Sequence, residues 1–169
     1  KEAAMNRCIA GFGLALLIGF AAGREALGDA DRGLGIGIII GEPTGLSIKN
    51  WLDDKHAIDA AAAWSLDGDD MFRLHADYLW HNFGAIKNQD AKAALPVYYG
   101  IGARVRFEDD ENGNDDEDTT AGIRFPVGID IIIRNTPIDV FGEIVPVMEL
   151  VPETDLDFDA GIGLRYFFN

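Results

Sequence analysis

The sequence predicts an all-β chain folded as an eight-stranded antiparallel up-and-down barrel, and three observations carry that prediction. Alternation of apolar and polar residues with period two recurs after Asp31, between clusters of Gly, Pro, Asn and Asp, while no helical period runs for a useful length. On one face of all eight segments there is no Asp, Glu, Lys, Arg or His, in a chain that is 25% charged. Eight strands without helices to cover them leave two open edges, and pairing the first strand with the last removes both.

Taken in order, residues 1–30 read as a leader and 31–169 as one barrel domain. Arg7 forms a short basic region, Cys8 to Gly23 an apolar stretch, and Gly28 and Ala30 a small-residue cleavage signal, so a signal peptide is expected with Asp31 as the mature start. The apolar stretch is shorter than the ~20 residues a membrane-spanning helix needs. Lys1 to Ala4 precede the first Met and are assigned no role. Cys8, the chain's single cysteine, falls in the leader, so no disulfide or cysteine metal cluster is expected. Strands are expected at Gly33–Ile40, Leu46–Trp51, Ala57–Ser65, Met71–Phe83, Val97–Phe107, Thr120–Ile133, Ile138–Leu150 and Leu156–Phe168. The connectors Glu42–Gly45, Asp53–His56, Asp67–Asp70 and Asn135–Pro137 carry turn chemistry and favour consecutive antiparallel pairing. Two segments are longer: 84–96, whose composition suits a short helical turn, and the acidic stretch 108–118. Both are expected as surface loops.

Successive side chains of a strand point to opposite faces, so each strand has one apolar face and one charged face. The charged face gathers Lys49, Asp59, Arg73, His75, Asp77, His81, Arg104, Arg106, Arg124, Asp130, Asp139, Glu143, Asp157, Asp159 and Arg165. Acids and bases nearly balance there although the chain as a whole carries a formal charge of −15, and balance is what a buried network requires, because an unpaired buried charge costs several kcal/mol. The same alternation fits a soluble lipocalin-like barrel with the apolar face inside or a membrane barrel with it outside. Glycines separate the two. Gly33, Gly35, Gly37, Gly100, Gly102, Gly122, Gly128, Gly161 and Gly163 all share the charged face, where they would make room for Arg side chains inside a narrow barrel. The charged face is therefore assigned to the interior. Tyr78, Trp80, Tyr99, Tyr166 and Phe168 then collect at the rim holding both termini, and Trp64, Phe72 and Phe107 at the other, as two interfacial girdles.

With these features residues 33–169 resemble the small eight-stranded outer-membrane barrels, typified by the OmpX and OmpA transmembrane domains. The closing segment Asp157-Phe158-Asp159-Ala160-Gly161-Ile162-Gly163-Leu164-Arg165-Tyr166-Phe167-Phe168 is similar to the C-terminal strand of that class, which commonly ends in Phe and serves as an assembly signal. Asn169 follows the Phe here, and the connector 84–96 is longer than the turns the class has at that end. The resemblance implies an outer-membrane location, contact with membrane lipid and lipopolysaccharide, insertion by the barrel-assembly machinery, and a monomer.

The charge of −15 argues against nucleic acid as a partner. No cofactor is expected. His75, Asp77 and His81 share a face of the fourth strand with Arg73, and a His–carboxylate pair there has the makings of a base. Barrels of this class include lipid-A-modifying enzymes that use Ser and His near the outer rim, but the chain's two serines, Ser47 and Ser65, sit in no matching motif. Glu108, Asp110 and Asn112 precede Gly113 as in a calcium loop, yet Thr119 stands where a bidentate Glu is required, so the segment is no EF-hand and is a weak calcium candidate only. An eight-stranded barrel filled with charged side chains has no open channel, so the expectation is a non-enzymatic barrel serving envelope integrity or surface interaction. A lipid-active enzyme and a lipocalin-like periplasmic carrier are the alternatives.

Overall fold

A computed structural model describes residues 33–42, 44–64, 71–86, 92–108 and 118–168. Residues 1–30, where a leader is expected, Ser65 and most of the acidic segment lie outside them. Ten strands form one antiparallel sheet: β1 (Leu34–Glu42), β2 (Gly45–Trp51), β3 (His56–Trp64), β4 (Met71–Asn82), β5 (Ala93–Ala94), β6 (Val97–Glu108), β7 (Asp118–Arg124), β8 (Val127–Ile133), β9 (Ile138–Val151) and β10 (Asp155–Phe168). Each long strand pairs with the next, and β1 pairs with β10 along its whole length, from Leu34 opposite Phe168 to Glu42 opposite Ala160. The ring is closed and has eight positions, because β7 and β8 are successive parts of one wall strand.

That wall strand is the expected Thr120–Ile133, interrupted at Phe125-Pro126. Proline has no N–H for the ladder. The wall stays continuous around it: Phe125 N donates to Pro146 O, and Gly100 N donates to Pro126 O. The expected loop 84–96 is also shorter than its sequence suggests. Ala93 and Ala94 pair with Ile133 and Ile132 of β8, so β5 prolongs β6 toward the terminal rim instead of joining a helical turn.

The register fixes the barrel's dimensions. Stepping from partner to partner round the ring, Arg165 leads through Gly37, Ser47, Ala61, His75, Arg104, Gly122 and Glu149 back to β10 at Asp155, a stagger of ten residues. With ~3.3 Å per residue and ~4.8 Å between strands, eight strands at that stagger tilt by about 40° and form a cylinder of roughly 8 Å radius at the backbone. A side chain as long as arginine reaches the axis of such a cylinder, so the interior is a packed core and not a duct.

Burial alternates accordingly. On β3, Ala57, Asp59, Ala61 and Ala63 are buried, and Trp64 is exposed. The exposed set is apolar: Ile38, Ile40, Leu46, Ile144, Ile162 and Leu164 are each between 46% and 65% exposed. The buried set includes Lys49, Arg104, Arg124, Arg165, Asp130 and Asp139, none above 1%. A soluble carrier needs the opposite arrangement, so the lipocalin-like alternative fails on this geometry. Trp80 and Tyr99 stack near the terminal rim with centroids 5.9 Å apart, and Phe72 and Phe107 near the far rim at 6.4 Å. Eight residues of strand separate Trp80 from Phe72, which at the tilt above is about 20 Å of height, close to the ~25 Å apolar band of membrane barrels.

Candidate functional site

The residues with chemistry to offer are gathered in the lumen, in layers from the terminal rim to the far rim. At the terminal end Lys49 of β2 meets Asp130 of β8 and His81 of β4: Lys49 Nζ lies 2.5 Å from Asp130 Oδ2 and 3.0 Å from His81 Nε2, and that nitrogen is 3.1 Å from the same oxygen. Rings enclose this layer. Trp51 packs on His81 at 4.3 Å between centroids, and Lys49 Nζ sits 4.7 Å over Trp51 and 5.4 Å over Tyr98. Above it, Arg165 of β10 donates Nη2 to Asp59 of β3 and Nε to Ser47 Oγ at 2.9 Å, with its guanidinium 3.6 Å over the Phe141 ring. Asp139 stands opposite Arg165 across the β9–β10 pair.

The middle layer centres on Asp159 of β10, which gathers three arginines from the opposite wall. Its Oδ1 accepts from Arg73 Nη1 at 2.9 Å and Arg104 Nη1 at 3.0 Å, and its Oδ2 from Arg124 Nη1 at 2.8 Å. Arg124 also donates Nε to Asp77, at 3.1 and 3.2 Å from the two oxygens, and its Nη2 lies 3.5 Å from Glu143. Tyr98 donates its hydroxyl to Glu143 at 2.8 Å. Toward the far rim Arg104 Nη2 donates to Glu149 at 2.6 Å and to Asp157 at 2.8 Å, and Arg106 approaches Glu149 at 3.6 Å. His75 lies between Asp59 and Asp77, 3.9 Å from a carboxylate oxygen of each.

The structure thus brings Lys49, Asp59, Arg73, His75, Asp77, His81, Arg104, Arg106, Arg124, Asp130, Glu143, Asp157, Asp159 and Arg165 into one lumen. Arg106 and Asp157 are its most open members, with side chains 21% and 40% exposed. Glu149 belongs to the same network and is absent from the sequence reading, although its odd position on β9 puts it on the charged face. The aromatic fillers Tyr98, Phe141 and Phe167, each at most 2% exposed, were missed as well. The glycine pattern traces to them in part: a Cβ on Gly35 would lie 2.6 Å from the Phe167 ring, and one on Gly163 or Gly128 would run into Phe141 or Tyr98. Space was expected for arginines; rings take much of it.

Of the serines and histidines considered for catalysis, Ser65 lies outside the described residues and His75 lies between two carboxylates. Ser47 is 1% exposed and engaged by Arg165, and His81 is held by Lys49 and Asp130. The weak calcium candidate lies outside the described residues at Asp110 and Asn112, with only the backbone of Glu108 described.

No protein-family model matches the sequence, and no curated protein matches it. Solved structures match by shape. The N-terminal β-barrel domain of Pseudomonas aeruginosa OprF shares 12% identity over 80% of this chain and 95% of its own, with a TM-score of 0.50. Neisserial surface protein A shares 11% over 80% and 93%, at 0.42, and Ail, the attachment invasion locus protein of Yersinia pestis, 8% over 80% and 94%, at 0.38. With its closed ring, charged lumen and apolar exterior, the chain has the fold of the small eight-stranded outer-membrane β-barrels.

Proposed function

We propose that this protein is a non-enzymatic barrel of the outer membrane, closed to solutes, that serves envelope integrity or surface interaction. The observation that carries the reading is Asp159 with Arg73, Arg104 and Arg124 converging on it across the lumen, each contact between 2.8 and 3.0 Å. In a cylinder of roughly 8 Å radius such a cluster leaves no continuous water path. The exposed apolar band between two aromatic girdles supports insertion in a bilayer, with membrane lipid and lipopolysaccharide as its surroundings. Strand β10, ending in Phe167-Phe168, supports recognition by the barrel-assembly machinery, and the closed ring leaves no free edge that would oblige a second copy.

The test is purification from outer-membrane fractions, gel mobility with and without boiling in SDS, and conductance in planar bilayers. A heat-dependent mobility shift together with a silent bilayer is expected. Discrete conductance steps would overturn the closed-lumen reading. Lipid A whose mass changes when the protein is deleted would replace the structural role by an enzymatic one.

A further inference from the structure

We propose that Asp59, His75 and Asp77 form a binding site for one divalent transition-metal cation of the zinc type. Asp59 on β3 and Asp77 on β4 stand directly opposite each other and both point into the lumen. Like charges in that register repel. Each carboxylate is held by an arginine: Arg165 donates to Asp59 Oδ2, and Arg124 Nε donates to Asp77. Asp59 Oδ1 and Asp77 Oδ2 are turned toward His75 Nε2, each at 3.9 Å. That separation is too long for a hydrogen bond. His75 is only 6% exposed, yet its Nδ1 has no hydrogen-bond partner among the described residues, and its Nε2 is turned to the two carboxylates. A proton on Nε2 would serve one carboxylate oxygen at a time. A metal ion would serve both oxygens and the nitrogen together.

The geometry is close to what an ion requires, since one donor atom from each of the three residues lies within 4.8 Å of the others. Tetrahedral ligands bound at 2.0–2.2 Å are roughly 3.4 Å apart, so each side chain needs to move by a few tenths of an ångström. Charge points the same way: among the described residues eight carboxylates but six lysine or arginine side chains line the lumen, and one divalent cation closes the difference. One imidazole with two carboxylates suits zinc or manganese better than calcium, and the two arginines fix the carboxylates from behind as outer-shell partners do.

An enclosed site fills during folding, so the full chain, free of any tag, is refolded from urea into detergent with Zn²⁺, desalted and assayed for metal. About one Zn²⁺ per chain is expected in the wild type and in His56→Gln, and at least about tenfold less in His75→Gln. Refolding with Co²⁺ is expected to give the intense visible bands of a low-coordinate site. Less than about a tenth of a Zn²⁺ per wild-type chain would overturn the proposal and leave His75 holding a proton only. Equal retention by His75→Gln would overturn it by placing the metal elsewhere. Where His75→Gln fails to refold, the wild-type Co²⁺ spectrum decides: weak six-coordinate bands, or none, refute the site.

Discussion

Arg124→Ala removes a side chain with no exposure that touches three buried carboxylates. The consequences differ at each. Asp159 keeps Arg73 and Arg104, and Glu143 keeps the Tyr98 hydroxyl, whereas Asp77 loses its arginine and is left facing Asp59. Deleting one partner of a buried pair typically costs 3–5 kcal/mol, and the stranded Asp77 sets the expectation for Arg124→Ala at about 4 kcal/mol. Asp157→Ala is the internal comparison. It also breaks a contact to arginine, but its side chain is 40% exposed and Arg104 retains Asp159 and Glu149, so under ~1 kcal/mol is expected. Urea unfolding in lipid vesicles, followed by tryptophan fluorescence and by the SDS mobility shift, measures both. Circular dichroism without urea is expected to show unchanged strand content for each variant. If the two midpoints move by the same small amount, water screens the lumen and the closed, dry interior is refuted.

Three further outcomes are expected. Ile162→Arg places a charge at mid-height on the outer face, where Ile162 is 65% exposed, and in a bilayer it lowers stability by about 2–4 kcal/mol, read as a fall in folding yield into vesicles. Gly102→Ala adds a methyl group that meets Asp77 and the Ala76 carbonyl, an overpacking worth about 1–3 kcal/mol by urea midpoint. In the β2–β3 turn, slight burial pushes the Asp53 carboxyl up, but the N–H groups of Lys55 and His56 and the His56 ring outweigh it and hold the carboxyl below its usual value. A depressed carboxylate stabilises the fold above the unfolded-state value and loses that contribution as pH falls through the folded one. Asp53→Ala is therefore slightly less stable at neutral pH and equal to the wild type in strong acid, in parallel urea titrations.

The parts legible in the sequence were those that depend on period and parity. Strand Ile138–Leu150 was expected and Ile138–Val151 is found; Leu156–Phe168 was expected and Asp155–Phe168 is found. The apolar face could be assigned outward because the glycines share the charged face, where they leave room for the side chains that fill a narrow interior. The break at Phe125-Pro126 escaped, although the proline was in view, because alternation continues unchanged across it and only the ladder notices the missing N–H. The pairing of Ala93-Ala94 escaped because two alanines carry no period. Glu149, Tyr98, Phe141 and Phe167 were recoverable from parity alone, since each lies at an inward position of a correctly placed strand.

Which charges meet was not legible, and the reason is geometric. Asp159 contacts Arg73, Arg104 and Arg124 at sequence separations of 86, 55 and 35, across the lumen and not along the wall. Partners across a barrel depend on its stagger, and a stagger of eight instead of ten would slide β10 by two residues against the opposite wall, leaving every inward residue inward. Asp157 or Gly161 would then stand at the place Asp159 holds. Parity survives such a slip and pairing does not. The network therefore selects between registers that hydrophobicity treats alike, because a register that leaves even one buried arginine unpaired forfeits several kcal/mol. The same constraint exposes a place among the described residues where this register sets two carboxylates face to face, Asp59 against Asp77. A fold that uses ionic pairing to define its stagger has good reason to fill that place with a cation.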